Sequence, residues 1–129
     1  MLTGYWGNCI DTFHKTYTKD LILDGKVTIP LALSDSEMTR IWDKLIDIDF
    51  FSYPDTLIPQ KRTAEIQPYT HLTLLVQSGS ITKNVYWTTK YANIGSKEKK
   101  LFELVHFIQH FVEINPQYSK LPPARGFYL

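Results

Sequence analysis

The stretch ELVHFIQHFVE, residues 103–113, sets His106 and His110 one helical turn apart, with Glu103 and Glu113 at its ends. Two imidazoles at i and i+4 on one helix face can share a zinc ion, and Glu103 can add a carboxylate oxygen. A working site needs a third and usually a fourth ligand, together with groups that orient them. The H-E-x-x-H arrangement is absent, because residues 107–109 are Phe, Ile and Gln. His14, His71, Cys9 and acidic side chains are the remaining ligand candidates, and none stands at a diagnostic spacing. Placed at about 100° per residue, Leu101, Leu104, Val105, Ile108, Phe111 and Val112 share one arc, with His106, His110 and Glu103 nearly opposite. A solvated helix face is therefore the preferred reading, and zinc held by His106, His110 and Glu103 the alternative.

Other reactive groups are equally isolated. Asp43, Asp47 and Asp49, with Asp35 and Glu37, could serve acid–base chemistry if a cleft held them. Asp43 and Asp47 stand at i and i+4 on an outward side, however, which reads as a solvated, partly self-repelling face. DIDFFSYPD lacks the central Gly and closing Glu of a calcium loop. Cys9 with His14 has no third group to orient it, and Ser78-Gly79-Ser80 reads as a hairpin turn, not a nucleophile elbow. No phosphate loop, dinucleotide fingerprint or C-x-x-C occurs, so no catalytic residue is assigned.

The elements that would carry these residues can be read from periodicity. YTKDLILDGKVTIPLALS reads as two strands around Leu23-Asp24-Gly25, with Gly25 left-handed, Leu21 opposite Val27 and Tyr17 opposite Leu31. Tyr17, Leu21, Val27, Ile29 and Leu31 then share a face, and Pro30 marks an edge. Ser34 and Glu37 stand at capping-box spacing, and Met38, Ile41, Trp42 and Leu45 form the apolar stripe of a helix ending near Asp49. A loop runs from there to about Tyr69. THLTLLVQSGSITKNVYWTTKY reads as a second strand pair, with Leu72, Leu74 and Val76, then Val85 and Trp87, facing inward, its register open. A second helix starts near Ser96 and stops before Pro116. The order is β-β-α-β-β-α: an α+β domain over residues 1–129, a four-stranded antiparallel sheet with two helices on one face, and terminal segments at 1–12 and 117–129.

Composition bounds the function classes. Lys plus Arg number 14 against 13 Asp plus Glu, so no net field attracts nucleic acid or an anionic membrane, and Lys61-Arg62 and Lys97, Lys99 and Lys100 read as solvated surface. One cysteine excludes a disulfide scaffold. No run approaches the ~18 apolar residues of a membrane span, and no signal-peptide pattern opens the sequence. The 18 aromatic residues (eight Tyr, seven Phe, three Trp) suit pleated strands and contact surfaces alike. Phe50, Phe51 and Tyr53 in the loop are candidates for a binding surface. Phe102 and Phe107, on the flanks of the second helix stripe, are too, although wrapping the core edge is preferred for them. The proline-rich tail lacks P-x-x-P and is expected to pack back across the domain.

TYTKDLILDG, IDFFSYPD and the terminal KLPPARGFYL resemble an uncharacterised family of small extracytoplasmic proteins of Gram-positive bacteria, many of lipoprotein type. The resemblance spans most of the chain through a hairpin, a helix end and a tail, and brings no activity with it. It implies an extracytoplasmic or membrane-tethered location through a removed N-terminal segment. Taken as it stands, the chain would instead be cytoplasmic. The functional expectation is a non-enzymatic domain that binds a protein or cell-envelope partner; a metal-dependent protein or hydrolase using His106 and His110 is the alternative, and a structural module of an assembly the third.

Overall fold

A computed structural model describes residues 2–5, 8–57, 71–88 and 95–124. The class is α+β, and the described residues form two helices and one sheet of seven strands in the order β4-β3-β2-β1-β6-β7-β5. The strands are β1 (Leu2–Tyr5), β2 (Asn8–Asp11), β3 (Thr16–Asp20), β4 (Lys26–Pro30), β5 (Thr56–Leu57), β6 (His71–Ser78) and β7 (Ile81–Thr88). The helices are α1 (Asp35–Asp47) and α2 (Ser96–Ile114).

The expected four-stranded sheet is too small, and the largest difference lies at residues 1–12. Read from sequence as a terminal segment, they supply β1 and β2, and β1 is the central strand. It pairs antiparallel with β2 (Thr3 opposite Ile10) and with β6 (Thr3 opposite Leu74), joining the two hairpins into one sheet. Four-residue strands carrying Gly, Asn and Asp have weak strand propensity; pairing on both sides compensates, and pairing is invisible in a local window. The remaining addition, β5, runs parallel to β7 at the sheet edge, with Thr56 opposite Tyr86 and Leu57 opposite Trp87.

In the first hairpin, Gly25 is left-handed (φ 81°) as expected, but the register differs. Tyr17 lies opposite Ile29, not Leu31, and Asp20 opposite Lys26. The connection is the five residues 21–25, closed by Leu21 N–H donating to Gly25 O at 2.7 Å. It needs a second left-handed residue, Ile22 (φ 65°), whose N–H donates to Asp20 Oδ1 at 2.8 Å. A β-branched residue in that region is strained, and nothing in a sequence window signals it. The shift is by two, so every side chain keeps its face. Pro30 does lie in an edge strand. The second hairpin closes with Ser78 opposite Ile81, leaving Gly79 (φ 59°) and Ser80 as a two-residue turn.

The helices start where the sequence signals them. Ser34 Oγ accepts from Glu37 N–H at 3.1 Å, and Glu37 Oε1 accepts from Ser34 N–H at 2.9 Å, satisfying two free amides at the N-terminus of α1. Gly95 caps α2, and the Glu98 carboxylate lies so close that a Cβ at position 95 would collide with it. Glu98 is buried, and a carboxylate in the first turn complements the helix dipole.

One cluster forms the core. Ile10, Tyr17, Leu72, Leu74, Val76, Val85 and Trp87 of the sheet meet Ile41 and Leu45 of α1 and Leu101, Leu104, Val105, Ile108, Phe111 and Val112 of α2. The tail packs back, as expected, over its described part. Tyr118 lies against Tyr17 at 5.9 Å between centroids, Leu121 packs on the core, and Lys19 Nζ donates to Pro122 O at 3.0 Å.

Candidate functional site

The C-terminal end of α1 makes the most distinctive surface. Asp49 adopts φ 56°, ψ 48°, a left-handed conformation that a short polar residue tolerates. The chain reverses there, and a single 3₁₀ turn, Phe50–Ser52, folds back, held by Ser52 Oγ donating to Asp49 O at 2.8 Å. The reversal produces a row of rings. Trp42 of α1 touches Phe51 (5.7 Å, 57°), Phe51 meets Phe50 edge-on (5.6 Å, 78°), and Phe50 meets Tyr53 (6.1 Å). Tyr53 Oη donates to Lys97 O at 3.3 Å, and Lys97 Nζ lies 5.2 Å from its ring centroid. Burial, then the negative charges of Glu98 and Asp49, push the Tyr53 phenol up.

The row starts at the surface and ends inside. Trp42 is 37% exposed, whereas Phe50 and Tyr53 are 0% and 2% exposed. Phe50 and Tyr53, expected at a binding surface, are therefore core: the left-handed turn at Asp49 directs them inward. Phe51, Phe102 and Phe107 are partly buried and pack on the core edge, the placement preferred for the last two. The rest of the loop, residues 58–69, lies outside the described residues. The exposed member that sequence reading missed is Ile46, 54% exposed and one turn beyond Trp42. At about 100° per residue, Trp42 sits roughly 80° and Ile46 roughly 120° from the centre of the buried Ile41–Leu45 stripe. Ile46, four residues after Trp42 and off the stripe, was the available signal.

The other flank of α1 faces α2. Arg40 lies over the rings of Phe107 and Phe111 (5.5 and 5.2 Å), and Lys44 over Phe107 (5.2 Å). Such cation–π contacts contribute about 0.5–1 kcal/mol each where exposed. Arg40, Asp43, Lys44, Asp47 and Phe107 line a groove of about 460 Å³. A neighbouring groove of about 370 Å³ is lined by Lys44, Asp47, Ile48, Lys100, Glu103 and Leu104.

Glu103 thus stands at the α1 side of α2. His106 and His110 are exposed on the same helix. Among the described residues, no group of three or more His, Cys, Asp or Glu side chains is placed to hold a metal ion. Cys9 is half-buried, and burial, then the negative charge of Asp11, raise its thiol pKa, which keeps it protonated and poorly nucleophilic at neutral pH. Its suggested partner His14 is occupied: His14 Nδ1 lies 2.7 Å from Asp11 Oδ2, while Asp11 Oδ1 accepts from the N–H groups of Phe13 (3.0 Å) and His14 (3.2 Å). Across β6 and β7, the His71 and Tyr86 rings stack at 5.4 Å, and the Tyr86 hydroxyl is hydrogen-bonded to His71 Nδ1.

The Asp11–His14 pair carries a pH prediction. The side-chain hydrogen bond from His14 leads in lowering the Asp11 pKa. A carboxylate depressed on folding contributes stability above its unfolded pKa of about 3.9 and loses it as pH falls through the lower folded value. Asp11→Asn is expected to lower the urea midpoint at about pH 5, with the difference from wild type shrinking toward about pH 2. The effect is small, because the His14 side chain is 79% exposed and salt screens the pair. A midpoint difference that grows on acidification contradicts this.

Comparison with protein-family models, curated proteins and solved structures returned no match for this chain. No helix among the described residues is long and apolar enough to cross a membrane.

Proposed function

We propose that this chain is a non-enzymatic domain that binds a protein partner through the apolar shoulder of α1, in the extracytoplasmic setting that the family resemblance implies. One observation carries the reading. Trp42 and Ile46 stand one turn apart and exposed, and Trp42 rests on a row of rings that runs into the core. Isolated exposed apolar residues are ordinary; a contiguous group containing Trp is the kind of surface that interfaces use. Because the rings beneath Trp42 are fixed by packing, little side-chain freedom is lost on docking.

The test is capture from a cell-envelope extract or a panel of secreted proteins by immobilised wild-type domain and by Trp42→Ala/Ile46→Ala. A specific protein is expected to be retained by the wild type and weakened by at least roughly 30-fold in the double variant, the scale of an interface hot spot. Phe13→Ala, at an exposed site in the β2–β3 turn, is expected to retain it. Equal retention by all three proteins overturns the assignment of the surface. Thermal melts of the variants confirm that the fold is kept.

A further inference from the structure

The two grooves between α1 and α2 share Lys44 and Asp47, so they form one trench, on the flank of α1 opposite Trp42. Each groove is balanced in charge. Arg40 and Lys44 stand against Asp43 and Asp47 in the larger, and Lys44 and Lys100 against Asp47 and Glu103 in the smaller. All six belong to exposed residues, yet among the described residues none of them closes an ion pair within 4.0 Å. Charges of both signs therefore line the trench without meeting. The cations nearest α2 are held in place: the Arg40 guanidinium lies over the rings of Phe107 and Phe111, and Lys44 Nζ over that of Phe107. A cation–π contact orients a cation without supplying the acceptor that its N–H groups can use.

Such a trench selects by the pattern of charge and not by its sum. A lone anion or cation gains at one position and is repelled at the next, whereas a molecule with one charge of each sign at its ends can meet both. Arg40 and Asp47 are seven residues apart, about 10.5 Å along the helix axis, and an extended tripeptide measures about 10–11 Å. The two volumes, about 460 and 370 Å³, fall in the range of small-molecule sites, and Phe107 and Leu104 add apolar wall. We propose that the α1–α2 trench binds a short zwitterionic peptide of about three residues. Its terminal carboxylate pairs with the Arg40 guanidinium, whose planar fork matches two carboxylate oxygens. Its terminal ammonium meets the Asp47 carboxylate, and its apolar side chains lie against Phe107 and Leu104. The site is separate from the Trp42 shoulder and does not depend on it.

The probe is trileucine with free termini, titrated into the isotope-labelled full chain and followed by amide chemical shifts. Saturable shifts are expected at millimolar concentration, centred on the residues that line the two grooves. N-acetylated and C-amidated trileucine, each lacking one terminal charge, should bind at least about threefold more weakly, the scale of an exposed ion pair. Arg40→Gln should weaken the free peptide by a similar factor and leave the amidated one unchanged, while Asp47→Asn should do the same for the acetylated one. That pairing of variant with terminus reads direct contact, which a loss of helix packing would not reproduce. Both positions are exposed, and thermal melts check that the variants fold. Trp42→Ala/Ile46→Ala should leave trileucine binding intact, so failure here and failure of the shoulder as a protein-binding surface are told apart. Absence of saturable shifts at millimolar concentration overturns the site. Equal binding of the free and blocked peptides overturns the zwitterion, and shifts centred on Trp42 that the double variant removes overturn the trench.

Discussion

Thr3→Pro is expected to abolish cooperative folding or to cost at least about 3 kcal/mol, the loss associated with proline in regular structure. The reason is the place of β1. Its residues pair with β2 on one side and β6 on the other, so Thr3 faces both Ile10 and Leu74. Proline in such a strand removes a ladder donor and crowds a neighbour, and it is tolerated essentially only at edges and bulges. Among the described residues, β1 is the strand that joins the β4-β3-β2 half of the sheet to the β6-β7-β5 half. A chemical denaturation curve should shift far to lower denaturant or lose its transition. An unchanged midpoint would mean that residues 2–5 are a terminal segment after all. The native Pro30 shows the contrast, since it is accommodated in the edge strand β4.

The second large effect is expected at Trp87. Its side chain is 0% exposed; the residue lies opposite Leu72 on β6 and Leu57 on β5, and Phe102 of α2 meets its ring edge-on at 6.4 Å. Trp87→Ala should cost about 3–5 kcal/mol through lost burial and the cavity left behind. A domain is stable by about 5–15 kcal/mol in total, so the variant should be marginal at physiological temperature. Trp87→Phe is the informative companion. The indole Nε1 has no hydrogen-bond partner among the described residues, and a buried donor without a partner is destabilising in itself. Phenylalanine removes that donor and keeps most ring contacts, so its loss should stay below about 2 kcal/mol. Equal losses for both variants in a denaturant titration would show that packing volume plays no part.

Both effects depend on features that differ in how far they can be read from the chain. The amphipathic periodicity of residues 96–114 is local, and so is the Ser34–Glu37 cap; both helices lie close to their expected limits. The inward set Leu72, Leu74, Val76, Val85 and Trp87 follows from period-two alternation, and all five are buried. The surface proposed for binding is only half legible. Trp42 reads as part of the core stripe of α1, and its exposure depends on where that helix is rotated over its neighbours. Phe50 and Tyr53 look like surface aromatics in a loop, and become core because one backbone residue, Asp49, turns left-handed.

Chain-local chemistry is enough to specify two amphipathic helices, the Ser34 cap, two hairpins and the faces on which their apolar residues lie. Each follows from backbone geometry and a repeat of 3.6 or 2 residues, which act within a few positions. What depends on distant partners came only with the folded molecule. Folding makes a weak N-terminal segment the centre of the sheet, sets the first hairpin two residues out of the simplest register, and moves Phe50 and Tyr53 inside while leaving Trp42 and Ile46 outside. Strand pairing and ring packing are contacts between residues far apart in sequence, so their free energy is shared across the fold and leaves no signature in any one stretch of it.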